Sequence, residues 1–185
     1  MKNNFLKAAL LSAIFGLAFS ACKKDPAKPV EQELITTVRL NVMGNDGFAQ
    51  SFSYKVENGF GNSPGSIQID TLKLMANTSY SVSAQVLNEK ETPPEDVTLE
   101  VIQEMDKHMF TYLSTPISGA GAVKVATGNM DHNGMQFYQS ITLETGAAGS
   151  GQLKVTLQHF AGEKPSTAFV LSETDAEAIF PVILQ

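Results

Sequence analysis

From residue 34 onward, apolar side chains recur at every second position, and this period argues for strands. Leu34, Thr36, Val38, Leu40 and Val42 fall on one face of an extended chain. Phe52, Tyr54 and Val56 repeat the pattern. After a Gly/Asn/Pro-rich loop at 58–65 come Ile67, Ile69, Leu72 and Leu74, and then Tyr80, Val82, Ala84 and Val86. Further strands read at 122–126, 135–143, 153–160 and 178–184, separated by turn-forming runs at 44–47, 128–129, 131–134 and 146–151. Many short alternating strands with frequent turns predict an all-β fold, a sandwich or a barrel. Pro181 lacks a ladder donor, so the last strand should carry it at an edge or a bulge.

One segment breaks the alternation. Thr92-Pro93-Pro94-Glu95 reads as a capping box, with Thr92 as N-cap and Pro93 at the first helical position. Val97, Val101 and Met105 then recur every four residues, with Ile102 and Met109 alongside. The spacing predicts one inserted helix over about 93–107, after which Phe110, Tyr112 and Leu113 return to an extended pattern.

The N-terminus carries an address. Lys2 and Lys7 precede an uncharged run at 8–19, and small residues Ser20 and Ala21 lead into Cys22, the only cysteine. This is the layout of a secretory leader, and the run falls short of the ~20 residues a membrane span needs. The stretch Phe19-Ser20-Ala21-Cys22 resembles the lipobox of bacterial lipoproteins, with Phe19 an unusual residue within it. That resemblance implies cleavage before Cys22 and acylation of its thiol and new amino group by chains such as palmitate. Each buried CH₂ contributes about 0.8 kcal/mol, so two or three chains anchor firmly. The alternative is an ordinary secretory leader with a coincidental cysteine.

The expected organisation is a signal peptide at 1–21, a lipidated tether at 22–33 and a single β domain at 34–185. The tether is charged and carries Pro26 and Pro29, which favour extension. Its stretch from Lys23 to Glu33 could reach roughly 36 Å at about 3.3 Å per residue. Removing 21 residues from 185 leaves 164, with 11 basic and 19 acidic residues and a formal charge of −8. A chain this acidic, with Arg39 its only arginine, is a poor partner for nucleic acid. With Cys22 acylated no intrachain disulfide can form, so stability must come from the core.

Leu74-Met75-Ala76-Asn77-Thr78-Ser79-Tyr80, followed by Val82, Ala84 and Val86, resembles the corner of fibronectin type III and immunoglobulin-like sandwiches. There a leucine ends one strand and a tyrosine six residues on begins the next. The resemblance implies an immunoglobulin/fibronectin type III-like β-sandwich in which the Tyr80 hydroxyl bonds back to the corner backbone. The early-strand tryptophan usual in that family is absent, and the inserted helix lies outside its pattern.

The mature chain is also similar to small lipoproteins of Bacteroidota. The similarity lies in its Cys-Lys-Lys-Asp start, in the block from Ile35 to Val38 through Asp70-Thr71-Leu72, and in Glu104 to His108. It implies a lipid anchor at the outer membrane but no activity. Acidic residues after the cysteine direct such proteins to the cell surface; here Lys23, Lys24 and the single Asp25 leave the periplasmic and outward faces both open. Asp70-Thr71-Leu72 also fits the phylum's O-glycosylation pattern, which would place a glycan on Thr71; a plain strand-edge threonine is the alternative.

No catalytic set stands out. The cysteine is assigned to lipid, and no serine sits in a Gly-x-Ser-x-Gly elbow. The glycine-rich runs at 119–122 and 146–151 lack a following basic helix, so they read as loops. A non-enzymatic domain is therefore expected. Metal binding is the sharpest chemical candidate. Glu100, Glu104 and His108 are four apart and would share a helical face. His132 follows Asp131, His159 falls in a predicted strand, and Glu173, Asp175 and Glu177 would share one extended face. Glu104, His108, His132 and His159 are the candidate ligands for a divalent ion such as zinc or copper. The alternatives are a solvated helix face, a turn histidine and an acidic loop. The broader expectation is a tethered interaction domain for an envelope protein or a glycan, using loops near Phe48, Phe60 and Tyr138.

Overall fold

The computed structural model describes residues 34–164 and 172–185. The leader, the tether and Cys22 lie outside the described residues. Two sheets carry almost all of the regular structure. The strands are β1 (Thr37–Gly44), β2 (Ala49–Val56), β3 (Ile67–Ile69), β4 (Leu72–Leu74), β5 (Ser79–Asn88), β6 (Glu95–Asp96), β7 (His108–Thr115), β8 (Val123–Met130), β9 (Gln136–Thr145), β10 (Gly149–Phe160) and β11 (Ser172–Leu184), with one helix, α1 (Thr98–Gln103). The larger sheet runs β3-β2-β1-β5-β9-β8, with β6 on the end of β5, and the smaller runs β4-β11-β10-β7. This is an all-β sandwich with one short helix. Among the described residues, no helix is long and apolar enough to cross a membrane.

The period-two faces form the core. Val38, Leu40 and Val42 of β1 and Tyr80, Val82, Ala84 and Val86 of β5 meet Leu153, Val155 and Leu157 of β10 and Ala176, Ala178, Phe180, Val182 and Leu184 of β11. Phe52, Phe110, Phe137 and Phe180 are its largest fully buried side chains. Phe110 and Phe137 meet edge to face at 6.1 Å, a geometry the ring quadrupoles favour.

The corner forms as the sequence implies. Tyr80 is buried and its hydroxyl accepts the Met75 N–H at 2.9 Å. Leu74, also buried, ends β4 in the smaller sheet, while Tyr80 is the second residue of β5 in the larger, so the corner carries the chain between layers. Asn77 takes the left-handed conformation the turn requires (φ 51), which asparagine tolerates. Pro181 faces Gln152 of β10, and β4 flanks β11 only over Val182–Leu184. The proline therefore sits where no ladder bond is asked of it.

The helix is shorter than its sequence pattern. Glu95 and Asp96 pair with Asn88 and Leu87 as β6, so the peptide groups expected in the first helical turn belong to the sheet. The capping box does not form. Val97 is the N-cap and makes no side-chain cap bond. Instead Thr98 clips α1 to β5: its Oγ1 accepts the Val86 N–H at 2.8 Å and donates to the Val86 carbonyl at 3.2 Å. The helix ends at Gln103 because residues 104–107 turn and His108 already belongs to β7.

Glycines expected in the 146–151 turn also join a strand, since β10 starts at Gly149. A side chain at Gly151 would collide with the backbone of Gly121, and one at Gly121 with Ser150. Close backbone approach, as well as turning, accounts for these residues.

Candidate functional site

His108 opens β7 and lies directly opposite His159 near the end of β10. Side chains directly opposite one another in antiparallel strands share a face, and the two rings stack with centroids 4.4 Å apart. The third member comes from β11. Leu157 pairs with Ala176 and Gln158 with Thr174, leaving Asp175 as an extra residue, a β-bulge. Strict alternation with inward Ala176 and Ala178 would turn Asp175 outward. The bulge resets that parity and aims its carboxylate at the histidines.

His108 Nε2 lies 3.7 Å from Asp175 Oδ2, and His159 Nδ1 lies 3.9 Å from Asp175 Oδ1. One donor atom from each of the three residues falls within 4.8 Å of the others. These imidazole–carboxylate separations are longer than hydrogen bonds. They approach the spacing of metal ligands: two donors about 2.1 Å from one ion at a tetrahedral angle lie about 3.4 Å apart. The side chains of His108 and Asp175 are only 7% and 9% exposed, that of His159 27%.

The protonation state suits ligation. His108 Nδ1 lies 3.0 Å from the Glu104 carbonyl oxygen, which can only accept, so Nδ1 carries the proton and Nε2 holds the lone pair facing Asp175. A ring nitrogen fixed on a backbone carbonyl is the usual second-shell support of a metal-binding histidine. Burial, with His159 adding to it, pushes the His108 pKa below its ordinary 6.5 against the opposing pull of the Glu104 carbonyl and Asp175. At neutral pH His108 is therefore the neutral imidazole that metals bind.

The remaining candidates are not brought into this group. The Glu104 carboxylate pairs with Lys107 at 3.1 Å, and only its carbonyl reaches His108, because α1 ends before the shared helical face can extend to 108. His132 is 68% exposed in the β8–β9 turn, where its Nδ1 lies 3.1 Å from Asp106 Oδ2. Glu177 points outward to Lys154 at 3.2 Å, so the bulge separates it from Asp175. Glu173 is exposed and opposite His159 in register. Thr71 lies half-buried between β3 and β4, beside Asp70, whose Oδ2 accepts the Ser53 N–H at 2.8 Å. Phe48, Phe60 and Tyr138 are half-buried and pack against the core.

Sequence reasoning passes over Lys164, which underlies the site. Its Nζ donates to the carbonyls of His108 and Gln136, each at 2.8 Å, and lies 2.9 Å from Asp131 Oδ2, off the line of a hydrogen bond. Asp131 Oδ1 accepts the N–H groups of Asn133 and Met135 at 2.9 and 2.8 Å. Burial alone would raise the Asp131 pKa; the Met135 N–H, Lys164 and the Asn133 N–H outweigh it and hold the carboxyl below its ordinary 3.8. A lysine in a polar surface loop gives no local signal that it is buried.

Two open depressions lie elsewhere. One, of about 340 Å³, is lined in part by Thr36, Lys55, Glu89 and Lys90, and the other, of about 330 Å³, by Met43, Ser83, Asn129 and Thr142. Lys55 and Glu89 pair across the first at 2.9 Å. Neither has an aromatic lining residue among the described residues. No family model matches the chain, and no curated protein or solved structure does either.

Proposed function

We propose that this chain is a lipid-anchored lipoprotein of the bacterial outer membrane, held by Cys22, whose β-sandwich binds a divalent transition metal through His108, His159 and Asp175. It acts as a binding domain and not as an enzyme. The observation that carries the metal reading is the convergence of the two imidazoles and the bulge carboxylate at ligand spacing. Two nitrogens and one oxygen suit zinc or copper better than the all-oxygen sites of calcium and magnesium. The anchor rests on the sole cysteine after a leader-like run.

Isothermal titration of the purified protein with zinc and with copper(II) tests the metal reading. One ion should bind per chain with micromolar or tighter affinity. His108→Ala and His159→Ala should each weaken it by more than ~10-fold, the least that even outer-shell changes usually cost. His132→Ala should leave it unchanged. Absence of binding by the native sequence would overturn the reading. The anchor is tested separately, by intact mass and membrane fractionation of the protein and of Cys22→Ala: an unacylated native chain would remove it.

A further inference from the structure

We infer that a metal held by His108, His159 and Asp175 keeps one coordination position open on the His159 side, where it takes a small anionic ligand from solution. This rests on the metal reading above and extends it from storage of an ion to recognition through one.

The donor count is the first argument. Zinc in a closed structural site has four protein ligands, whereas sites with three leave the fourth position to water or an incoming ligand. Among the described residues, the group of donors at ligand spacing is these three. Residues 165–171 (Pro-Ser-Thr-Ala-Phe-Val-Leu) contain no histidine, cysteine, aspartate or glutamate. Two neighbours among the described residues are otherwise engaged. The Glu104 carbonyl holds Nδ1 of His108, not the metal-facing Nε2, and its carboxylate is with Lys107. The Lys164 ammonium is a donor only, fixed on the His108 and Gln136 carbonyls.

Exposure gives the direction. His108 and Asp175 are almost wholly enclosed while His159 is partly open, so the His159 side is the more exposed side of the group. Charge gives the ligand class. Two neutral imidazoles and one carboxylate leave a divalent ion with one net positive charge, and the bound ion is then the dominant local charge. A small anion, such as hydroxide or a carboxylate, neutralises it. Among the described residues, Glu173 is the acidic side chain placed to compete, being opposite His159 in register and exposed.

Cobalt(II) reports both steps at once. The full-length protein is loaded with cobalt(II), its visible ligand-field bands are recorded, and azide is titrated in. The expected result is one cobalt per chain, with bands that shift and saturate on adding azide, and with both responses lost in His159→Ala. Bands that form but ignore azide would overturn the open position while leaving the metal site standing. If Glu173→Gln then restored the azide response, Glu173 would be the residue closing the native site. Failure of cobalt and of zinc to bind at all would remove the metal reading and this inference with it.

Discussion

Two buried polar groups adjoin at one end of the sandwich, and they are spaced differently. Lys164 Nζ lies 2.8 Å from the carbonyl oxygens of His108 and Gln136 and 2.9 Å from the Asp131 carboxylate. His108, His159 and Asp175 approach only to 3.7 and 3.9 Å. The first arrangement pairs opposite charges at contact distance. The second sets two imidazole rings and a carboxylate at separations longer than hydrogen bonds. Close contact is what a permanently buried charge requires, since desolvation is costly unless pairing is tight. Room between donor atoms is what an added ion requires. The same end of the fold thus holds a lock and, beside it, the proposed socket.

The comparison breaks first at the lock. Lys164→Met should destabilise the domain by about 3–5 kcal/mol, because it leaves the Asp131 carboxylate buried without its cation. Urea unfolding measures this, and a loss below 1 kcal/mol would show that the pair does not hold this end together. The socket should respond to metal. Zinc at a hundredfold over its dissociation constant should add about 2.7 kcal/mol to stability, reversibly with chelator. Asp175→Asn should remove most of that gain. A comparable gain in the variant would exclude the carboxylate as a ligand.

Away from both groups, Tyr80→Phe removes the acceptor of the Met75 N–H and should cost about 1 kcal/mol. A neutral change there would mean that the corner is held by packing alone.

The smallest expected effect is on pH, and it separates lock from socket by window. The folded pKa of His108 is depressed, so the unfolded state takes up protons first. Apo-protein stability should therefore fall as pH drops below 6.5 toward the folded value, and His108→Gln should flatten that slope. The Asp131 contribution is present above 3.8 and disappears only as pH falls through its lower folded value. Denaturant midpoints across this range should show two steps, the first missing in the His108 variant.

Much of the scaffold was readable in advance. Alternation over 36–42 and 80–86 marked inward faces that are indeed buried, with Leu34 only half-buried, and the spacing from Leu74 to Tyr80 marked the turn between sheets. The same alternation misled at Ile67 and Ile69, which lie in β3 at the sheet edge and are 45% and 46% exposed. Period two says which residues share a face, not whether anything covers it. The helical spacing after Thr92 was real, but pairing of β6 with β5 and the early start of β7 consumed both ends of the pattern.

At the site, histidines 108 and 159 were visible as ligand types, whereas their meeting was not. Asp175 read as one of three acids on a common face until the bulge opposite Leu157 and Gln158 turned it inward.

By itself the sequence determined the strand-rich class, the corner, the acidic balance and the position of the only cysteine. Each follows from local spacing or composition. The tertiary structure decided which polar groups converge. Cross-strand register and a one-residue bulge arise from pairing between distant segments, and a shift of one residue exchanges the two faces of a strand. No local window of this chain contains that information.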